Sequence, residues 1–179
     1  MKQAKNRREN ALSAVYTVTG TFLACVTAVF ALFAFCFRLA EVDGNSMEPN
    51  LHSGETVFVL QVPGMPDYGQ IVAIGSPRTG RSMVKRVLAR GGDTVDVNFE
   101  THLLTVNGRV IPETYRVLGA ITVQGDAVFP LTVPEGSVFV LGDNRNDSLD
   151  SRFTEIGCIR QEELLGRVVC RLFPYGTIE

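Results

Sequence analysis

Histidine is scarce in this chain of 179 residues, in which His52 and His102 are the only two. The four cysteines form no CxxC pair and no cluster with histidine, so the sequence lacks the ligand spacing that is typical of a zinc site. The formal net charge of -2 provides no basic surplus, which argues against a nucleic-acid partner. These absences argue against a zinc site and against a nucleic-acid partner, and they direct attention to other chemistry.

The cysteines leave two alternatives open. Cys25 and Cys36 lie in an apolar segment, whereas Cys158 and Cys170 lie near the end of the chain. The second pair can form a disulfide only if the fold brings its Cα atoms within roughly 7 Å. Free buried thiols are the simpler interpretation, and the sequence favours them.

No charged residue occurs between Asn10 and Phe37. Because a helix needs roughly 20 apolar residues to cross a bilayer, the sequence predicts a transmembrane helix over residues 11–37. A cleavable signal peptide is the alternative, but its apolar region is usually shorter, roughly 7–15 residues. Basic residues are concentrated in residues 1–10, and such residues stay on the cytoplasmic side. We therefore expect a single crossing with a cytoplasmic N-terminus and an extracytoplasmic domain over residues 38–179.

Beyond Arg38 the sequence consists of short apolar runs separated by turn residues, a pattern typical of strands. The predicted strands are Thr56–Gln61, Gln70–Gly75, Met83–Arg90, Thr94–Asn98, Leu103–Val106, Arg109–Ile111, Ser137–Leu141 and Arg167–Phe173. Asn107-Gly108 predicts a two-residue hairpin, and only Gln161–Leu165 has a helical pattern. We expect a mostly β fold, either a barrel or packed sheets, with a small β insertion around residues 98–133.

A serine follows the apolar segment closely, in a loop that we call the serine loop (residues 42–51). Ser46 is a weak nucleophile unless a base takes its proton, and a Ser-x-x-Pro match alone is typical of an ordinary loop. Its position gives it more meaning, because a nucleophile a few residues beyond the membrane can reach substrates that are themselves inserted. Met47 and Leu51 would flank it with apolar surface.

Two basic residues interrupt an apolar strand at Lys85 and Arg86. Since side chains alternate along a strand, they point to opposite faces, and Lys85 shares its face with Met83 and Val87. Arginine stays charged at neutral pH, whereas burial lets lysine act as a base. Lowering its pKa from about 10.4 to about 7 requires roughly 4–5 kcal/mol of desolvation. A solvent-facing edge lysine is the alternative, and the strand alone favours it. The presence of Ser46 shifts the balance toward a Ser-Lys pair.

A dense run of polar residues, the polar block (residues 142–152), follows the last strongly apolar strand. Such runs are usually solvated loops, but this one mixes hydroxyl, amide and carboxylate groups with two arginines. Asp150 and Arg152 are placed to form an ion pair that would rigidify the block. Ser148 can hydrogen-bond a neutral lysine amine and so orient it.

Together these motifs resemble, in order and across most of the chain, those of bacterial type I signal peptidases, and of the Gram-positive members with a single anchor in particular. The matching residues are Ser46-Met47-x-Pro49-x-Leu51, Tyr68-Gly69-Gln70-Ile71-Val72, Lys85-Arg86-Val87 with Gly91-Gly92-Asp93, and Gly142-Asp143-Asn144-Arg145 through Ser148, Asp150, Ser151 and Arg152. Four motifs behind an N-terminal apolar segment are specific, although each alone would be weak.

The resemblance implies a membrane-bound serine endopeptidase that removes signal peptides from exported preproteins, with an Ala-x-Ala preference and no metal or cofactor. Its partners would be signal peptides, the lipid bilayer and the secretion translocon. Ser46 would be the nucleophile and Lys85 the general base. The implied supporting residues are Ser148, Asp150, Arg152, Gly142 and Asp143, and the implied substrate-pocket residues are Val42, Met47, Leu51, Met83 and Val84.

One position departs from part of that family. Some members carry a hydroxyl residue two places before the nucleophile, where this chain has Gly44. The oxyanion region would then depend on the N–H of Ser46, together with the Gly44 backbone or a water.

Three alternatives remain. A related Ser-Lys protease that processes pilus or conjugation substrates would use the same residues. A self-cleaving repressor-like protease shares the chemistry, but it is cytosolic and carries a DNA-binding head, whereas this chain begins with an apolar segment. A non-catalytic membrane-tethered β domain would need neither a reactive serine nor a titratable lysine.

Overall fold

The computed structural model describes residues 2–61, 63–76, 80–115 and 117–177, without the side chains of residues 2–11, 32, 76 and 81. The chain divides into a unit that ends at Phe37 and a unit that begins at Arg38.

The first unit is a single helix, α1 (Lys2–Cys36), of 35 residues. Its apolar stretch Leu12–Cys36 has 25 residues and a mean hydropathy of 2.1, which is long and apolar enough to cross a bilayer. The helix begins at Lys2, so it also includes all four of the basic N-terminal residues that the sequence analysis placed before it.

Threonine side chains within α1 satisfy their hydroxyl groups locally. The hydroxyls of Thr17, Thr21 and Thr27 donate to backbone carbonyls one turn earlier at 2.8–2.9 Å. A hydroxyl bonded in this way needs no water, so these residues are compatible with an apolar surrounding.

The second unit contains eleven strands and one short 3-10 turn, Gln161–Glu163, in the described part of the chain. Seven strands form a large sheet with the order β1-β2-β11-β3-β4-β9-β10. They are β1 (Phe37–Glu41), β2 (Thr56–Leu60), β3 (Ile71–Ser76), β4 (Arg81–Arg90), β9 (Ser137–Leu141), β10 (Ile159–Arg160) and β11 (Leu164–Phe173). The registered pairs among these strands are antiparallel.

The other four strands form a small sheet with the order β7-β6-β5-β8. They are β5 (Thr94–Asn98), β6 (Leu103–Val106), β7 (Arg109–Val110) and β8 (Leu131–Thr132). Asn107 and Gly108 have φ values of 53° and 72°, which form the tight hairpin turn that the sequence predicted between β6 and β7. The small sheet includes β5, so it begins slightly earlier than the insertion expected around residues 98–133.

The predicted mostly β fold is confirmed, and three strands, β5, β6 and β9, have the bounds that the sequence predicted. The helix predicted over Gln161–Leu165 was wrong beyond its first three residues. Leu164 instead pairs with Ile74 of β3 and begins β11, so pairing within the sheet overrides the local helical preference.

The two sheets share one apolar core. Leu88, Phe139 and Leu141 of the large sheet pack in the same cluster as Val95 and Leu104 of the small sheet. Cys158 packs against this cluster, and neither Cys158 nor Cys170 forms a disulfide among the described residues, although both are half-buried rather than buried as expected. The shared core fixes the small sheet against the strands that carry the candidate site.

Candidate active site

The serine loop is fixed to the large sheet by apolar side chains on either side of Ser46. Val42, Met47 and Leu51 are 4%, 1% and 0% exposed and belong to one buried cluster with Val57 of β2. The N–H of Leu51 donates to the carbonyl of Met47 at 2.9 Å, which closes a turn directly after the serine. Ser46 is therefore presented by a loop whose neighbours are buried.

Lys85 lies near the middle of β4, where Val72 of β3 is its partner across the ladder. The residue is 3% exposed, so the strand carries a buried lysine rather than the solvent-facing one that was the alternative. Its Nζ lies 2.6 Å from the Oγ of Ser46, within hydrogen-bonding distance. The structure thus brings Ser46 and Lys85 together, and we call these two residues the dyad.

The environment of Lys85 disfavours its charged form. Burial lowers the pKa of Lys85 to about 8, while the carboxylates of Asp150 and Asp143 act in the opposite direction. A substantial fraction of the amine is therefore neutral near pH 8, and a neutral amine can accept a proton from a hydroxyl.

Asp150 and Arg152 form the ion pair expected in the polar block, and both side chains are fully buried. The guanidinium donates from Nε to Oδ1 at 2.8 Å and from Nη2 to Oδ2 at 2.9 Å. Asp150 also accepts the backbone N–H of Gly142 at 3.1 Å. This pair therefore fixes both ends of the polar block to each other.

Asp143 is the centre of a second buried network. Its carboxylate accepts two hydrogen bonds from Arg86 at 2.7 and 2.8 Å and one from Asn50 at 2.7 Å. Arg86 follows Lys85 on β4, and Asn50 lies in the serine loop, so Asp143 connects the two segments that carry the dyad. Sequence reasoning assigned Asp143 a supporting role but missed Arg86 and Asn50. The available signal was Arg86 itself, since a cation on an apolar strand face needs a buried acid.

Gly142 and Ser148 lie beside the carbonyl of Ser46. A Cβ atom on Gly142 would overlap both the Oγ of Ser148 and the carbonyl oxygen of Ser46, so the close approach requires glycine. The Oγ of Ser148 is buried and has no hydrogen-bond partner among the described residues. The expected hydrogen bond from Ser148 to Lys85 is thus not formed in this structure.

The backbone N–H of Gly44 already has a partner, since it donates to the Oγ of Ser53 at 3.2 Å. Gly44 has a φ of 86°, a conformation that suits glycine and turns the chain just before the serine. In this conformation its N–H is not available to stabilise an oxyanion, contrary to one of the options in the sequence analysis.

A cavity of about 250 Å³ opens beside Ser46. Four of the five predicted pocket residues line it, namely Val42, Met47, Met83 and Val84. The fifth, Leu51, is fully buried in the core and does not line the cavity. Sequence reasoning missed further lining residues that come from distant strands, Ala40, Val59, Ala73 and Leu165. A second, more open cleft is lined by both Ser46 and Lys85.

The chain is similar to known signal peptidases over most of its length. The family described as "Signal peptidase, peptidase S26" matches residues 15–173. Signal peptidase I of Bacillus licheniformis is 32% identical over an alignment of 183 positions, which covers 97% of this chain and 97% of that protein. Signal peptidase I T of Bacillus subtilis strain 168 is 35% identical over 155 residues, covering 80% of this chain and 78% of that protein. A crystal structure of a signal peptidase I from Enterococcus faecalis V583, 33% identical, covers 59% of this chain and 97% of that one with a TM-score of 0.49.

Proposed function

This chain belongs to the signal peptidase family, peptidase S26, and on that premise we propose that Ser46 and Lys85 are its nucleophile and general base. The proposed reaction is the cleavage of signal peptides from exported preproteins. The observation that carries the assignment is the distance of 2.6 Å between the Oγ of Ser46 and the Nζ of a lysine that is 3% exposed. The depressed pKa of Lys85, about 8, supports the same role.

The proposed mechanism uses one proton relay in two directions. The neutral amine of Lys85 accepts the hydroxyl proton as the Oγ of Ser46 forms a bond to the scissile carbonyl carbon. The ammonium then returns that proton to the leaving amine as the peptide bond breaks, which leaves an ester on Ser46. Water, activated by the again neutral Lys85, hydrolyses the ester and restores both side chains.

The oxyanion that forms in each step needs a donor close to Ser46. We assign the backbone N–H of Ser46 to this role, because the N–H of Gly44 is committed to Ser53. One such donor is typically worth about 2.7–4 kcal/mol of transition-state stabilisation. The turn closed by Leu51 would keep this donor fixed.

The proposed specificity for small residues, Ala-x-Ala before the cut, follows from the lining of the cavity beside Ser46. Its apolar walls include Ala40, Val42, Met83 and Val84, and its volume is about 250 Å³. Small apolar side chains can pack against such a lining without burying a polar group, which supports the proposed preference.

The proposed location is a membrane with the catalytic unit, residues 38–179, on the extracytoplasmic side. Residues 11–37 would form the anchor, and residues 1–10, which contain Lys2, Lys5, Arg7 and Arg8, would stay in the cytoplasm. An enzyme anchored in this way would meet signal peptides in the bilayer as they leave the secretion translocon, which we propose as a partner. The small sheet would be the inserted subdomain expected around residues 98–133.

The test uses the purified full-length chain in detergent and a synthetic preprotein with an Ala-x-Ala site. We expect Ser46→Ala and Lys85→Met each to lower the cleavage rate at least about a thousandfold, since members of a nucleophile–base pair act as a unit. Ser13→Ala in α1 and Arg109→Met on exposed β7 are matched controls that should retain the parental rate. Cleavage that persists in either variant of the dyad would refute the assignment. A substrate with phenylalanine at the residue before the cut should remain intact.

A further inference from the structure

Two side chains in the segment between β7 and β8 contact the buried arginines of the candidate site. The Cζ of Arg86 lies 3.8 Å from the centroid of the Tyr115 ring, and Tyr115 is 8% exposed. Glu113 forms an ion pair with Arg145 and also accepts a hydrogen bond of 3.2 Å from the Tyr115 hydroxyl. We call Glu113 and Tyr115 the clasp, because each contacts a different arginine.

Both arginines are connected to the dyad through the polar block. Arg86 donates twice to Asp143, which also accepts the amide of Asn50 in the serine loop. Arg145 donates from Nε to the carbonyl of Gly142 at 3.1 Å. The two arginines thus connect the clasp to two neighbouring residues. Gly142 lies against the carbonyl of Ser46, and Asp143 binds Asn50 of the serine loop.

The chain close to the clasp is itself fixed to the polar block. The N–H of Leu118 donates to the carbonyl of Asp143 at 2.9 Å, and the N–H of Arg145 donates to the carbonyl of Leu118 at 3.3 Å. These backbone bonds set the position of the clasp independently of its side chains, so a change in Tyr115 alters the contact with Arg86 without freeing the segment.

We propose that Tyr115 is a positioning residue of the dyad, which holds Arg86 on Asp143 and thereby keeps β4 and the serine loop in the alignment that joins Lys85 to Ser46. The proposal rests on the proposed function. A guanidinium that is forked on a carboxylate and stacked on a ring has its edge and one face occupied, so it has little freedom to turn away. Without the ring that face is open, and the guanidinium can shift off the carboxylate while its Nη1 keeps the hydrogen bond of 2.8 Å to the carbonyl of Gly69.

Loss of this contact has an electrostatic consequence at Lys85. Two buried carboxylates near Lys85, Asp143 and Asp150, are matched by Arg86 and Arg152 respectively. If Arg86 leaves Asp143, that carboxylate acts on the amine without compensation and favours its protonated form. The exposed acids that line the open cleft would act in the same direction in parent and variant alike; they are Asp43, Asp147 and Glu155. The pH dependence of cleavage therefore tests whether Tyr115 holds Arg86 on Asp143.

The experiment compares Tyr115→Leu with Tyr115→Phe in the full-length chain in detergent, with kcat and KM measured for a synthetic preprotein from pH 6 to pH 10.5. Phenylalanine keeps the stacked ring, so its pH profile should match the parent. With leucine we expect the rising limb of kcat to move up by about one pH unit, so that kcat at pH 7 falls about tenfold with little change in KM. Glu113→Gln leaves the Arg145 cation without its counter-charge, which disfavours the protonated amine, so its limb should not move up.

Leu104→Ala is the matched control, because it weakens the core of the small sheet without touching either arginine. It should lower stability and leave the rising limb in place. An unmoved limb in Tyr115→Leu, or a loss of activity that only follows the unfolded fraction, would overturn the proposal. If Tyr115→Leu fails to fold, Tyr115→Met, which also lacks the ring but fills more of its space, decides in the same way. Failure of the parent to cleave, or cleavage by Lys85→Met, would instead refute the proposed function.

Discussion

The two units of this protein differ in which side chains they expose and which they bury. In α1 the large apolar side chains are outside, and Phe22 and Phe30 are 70% and 72% exposed. In the β unit charged side chains are inside, and Asp150 and Arg152 are fully buried. Each arrangement would be unstable in the other surroundings, since lipid offers no hydrogen-bond partners and water penalises exposed apolar surface.

Within the β unit, the buried lysine differs from the buried arginines in the type of partner that it has. Three of the buried basic residues, Arg86, Arg145 and Arg152, are paired with Asp143, Glu113 and Asp150. Lys85 is also buried, but its hydrogen bond is to the hydroxyl of Ser46. The arginines are therefore stabilised as cations, whereas the partner of Lys85 suits a neutral amine. Among these buried basic residues, the type of partner distinguishes the proposed base from the arginines.

The largest effect should come from breaking a buried ion pair. Asp150→Asn leaves the fully buried guanidinium of Arg152 without a counter-charge, so we expect the free energy of unfolding to fall by about 3–5 kcal/mol. Denaturant unfolding of the full-length chain in detergent, followed by near-UV circular dichroism, measures this change.

Glu162→Gln is the matched control for that measurement. Its partner is Arg160, and the side chains of the pair are 59% and 68% exposed, so the loss should be at most about 1 kcal/mol. Equal losses in the two variants would contradict the view that the β unit depends on charges satisfied within its interior.

The next prediction is a rise in the free energy of unfolding rather than a fall, and it distinguishes Lys85 from the buried arginines. The pKa of Lys85 is about 8 in the folded chain and 10.5 without burial. Below pH 8 the amine is charged in both states, and the folded state bears the whole desolvation cost. Between pH 8 and pH 10.5 that cost declines, and above pH 10.5 it is absent. Lys85→Met should therefore raise the free energy of unfolding by on the order of 3 kcal/mol at pH 6, and much less at pH 11.

Unfolding curves of parent and Lys85→Met at several pH values test this prediction, with Arg109→Met as the control for loss of an exposed cation. A stabilisation that is independent of pH would mean that Lys85 is not the group whose pKa burial lowers. The same variant should be inactive in cleavage, so stability and activity would change in opposite directions at one residue.

Local sequence patterns predicted much of the fold. Alternating apolar residues and turn residues located β5, β6 and β9, and Asn107-Gly108 located the hairpin between β6 and β7. Strands of two residues, such as β8 and β10, carry too few side chains to show alternation, so only pairing with a neighbour reveals them. The error at Gln161–Leu165 has the same origin, because Leu164 takes its conformation from β3.

The candidate site was predictable in part. The sequence indicated Ser46 and Lys85 through their settings and through a family resemblance. These residues are 39 positions apart in the sequence, and the fold brings their Oγ and Nζ atoms within 2.6 Å. Local patterns carry no information about such long-range contacts, which is why Asn50 and Tyr115 were missed. The hydrogen bond predicted between Ser148 and Lys85 is not formed. A local pattern carries no information about where the amine of a distant strand points.

The smallest predicted effect compares one hydroxyl from each unit. The Oγ of Ser151 accepts the buried N–H of Val140 at 3.0 Å and donates to the carbonyl of Gly157 at 2.8 Å. Ser151→Ala leaves that N–H without its partner, so we expect the free energy of unfolding to fall by about 1–3 kcal/mol.

Thr21→Val removes a hydroxyl that bonds only to the carbonyl of Thr17, one turn earlier in the same helix. That carbonyl keeps its helical bond, so the change should stay within about 0.5 kcal/mol. Thermal unfolding of the full-length chain in detergent measures both variants. If Thr21→Val were as damaging as Ser151→Ala, the hydroxyls of α1 would have to bind a partner outside the helix, and the contrast between the two units would no longer hold.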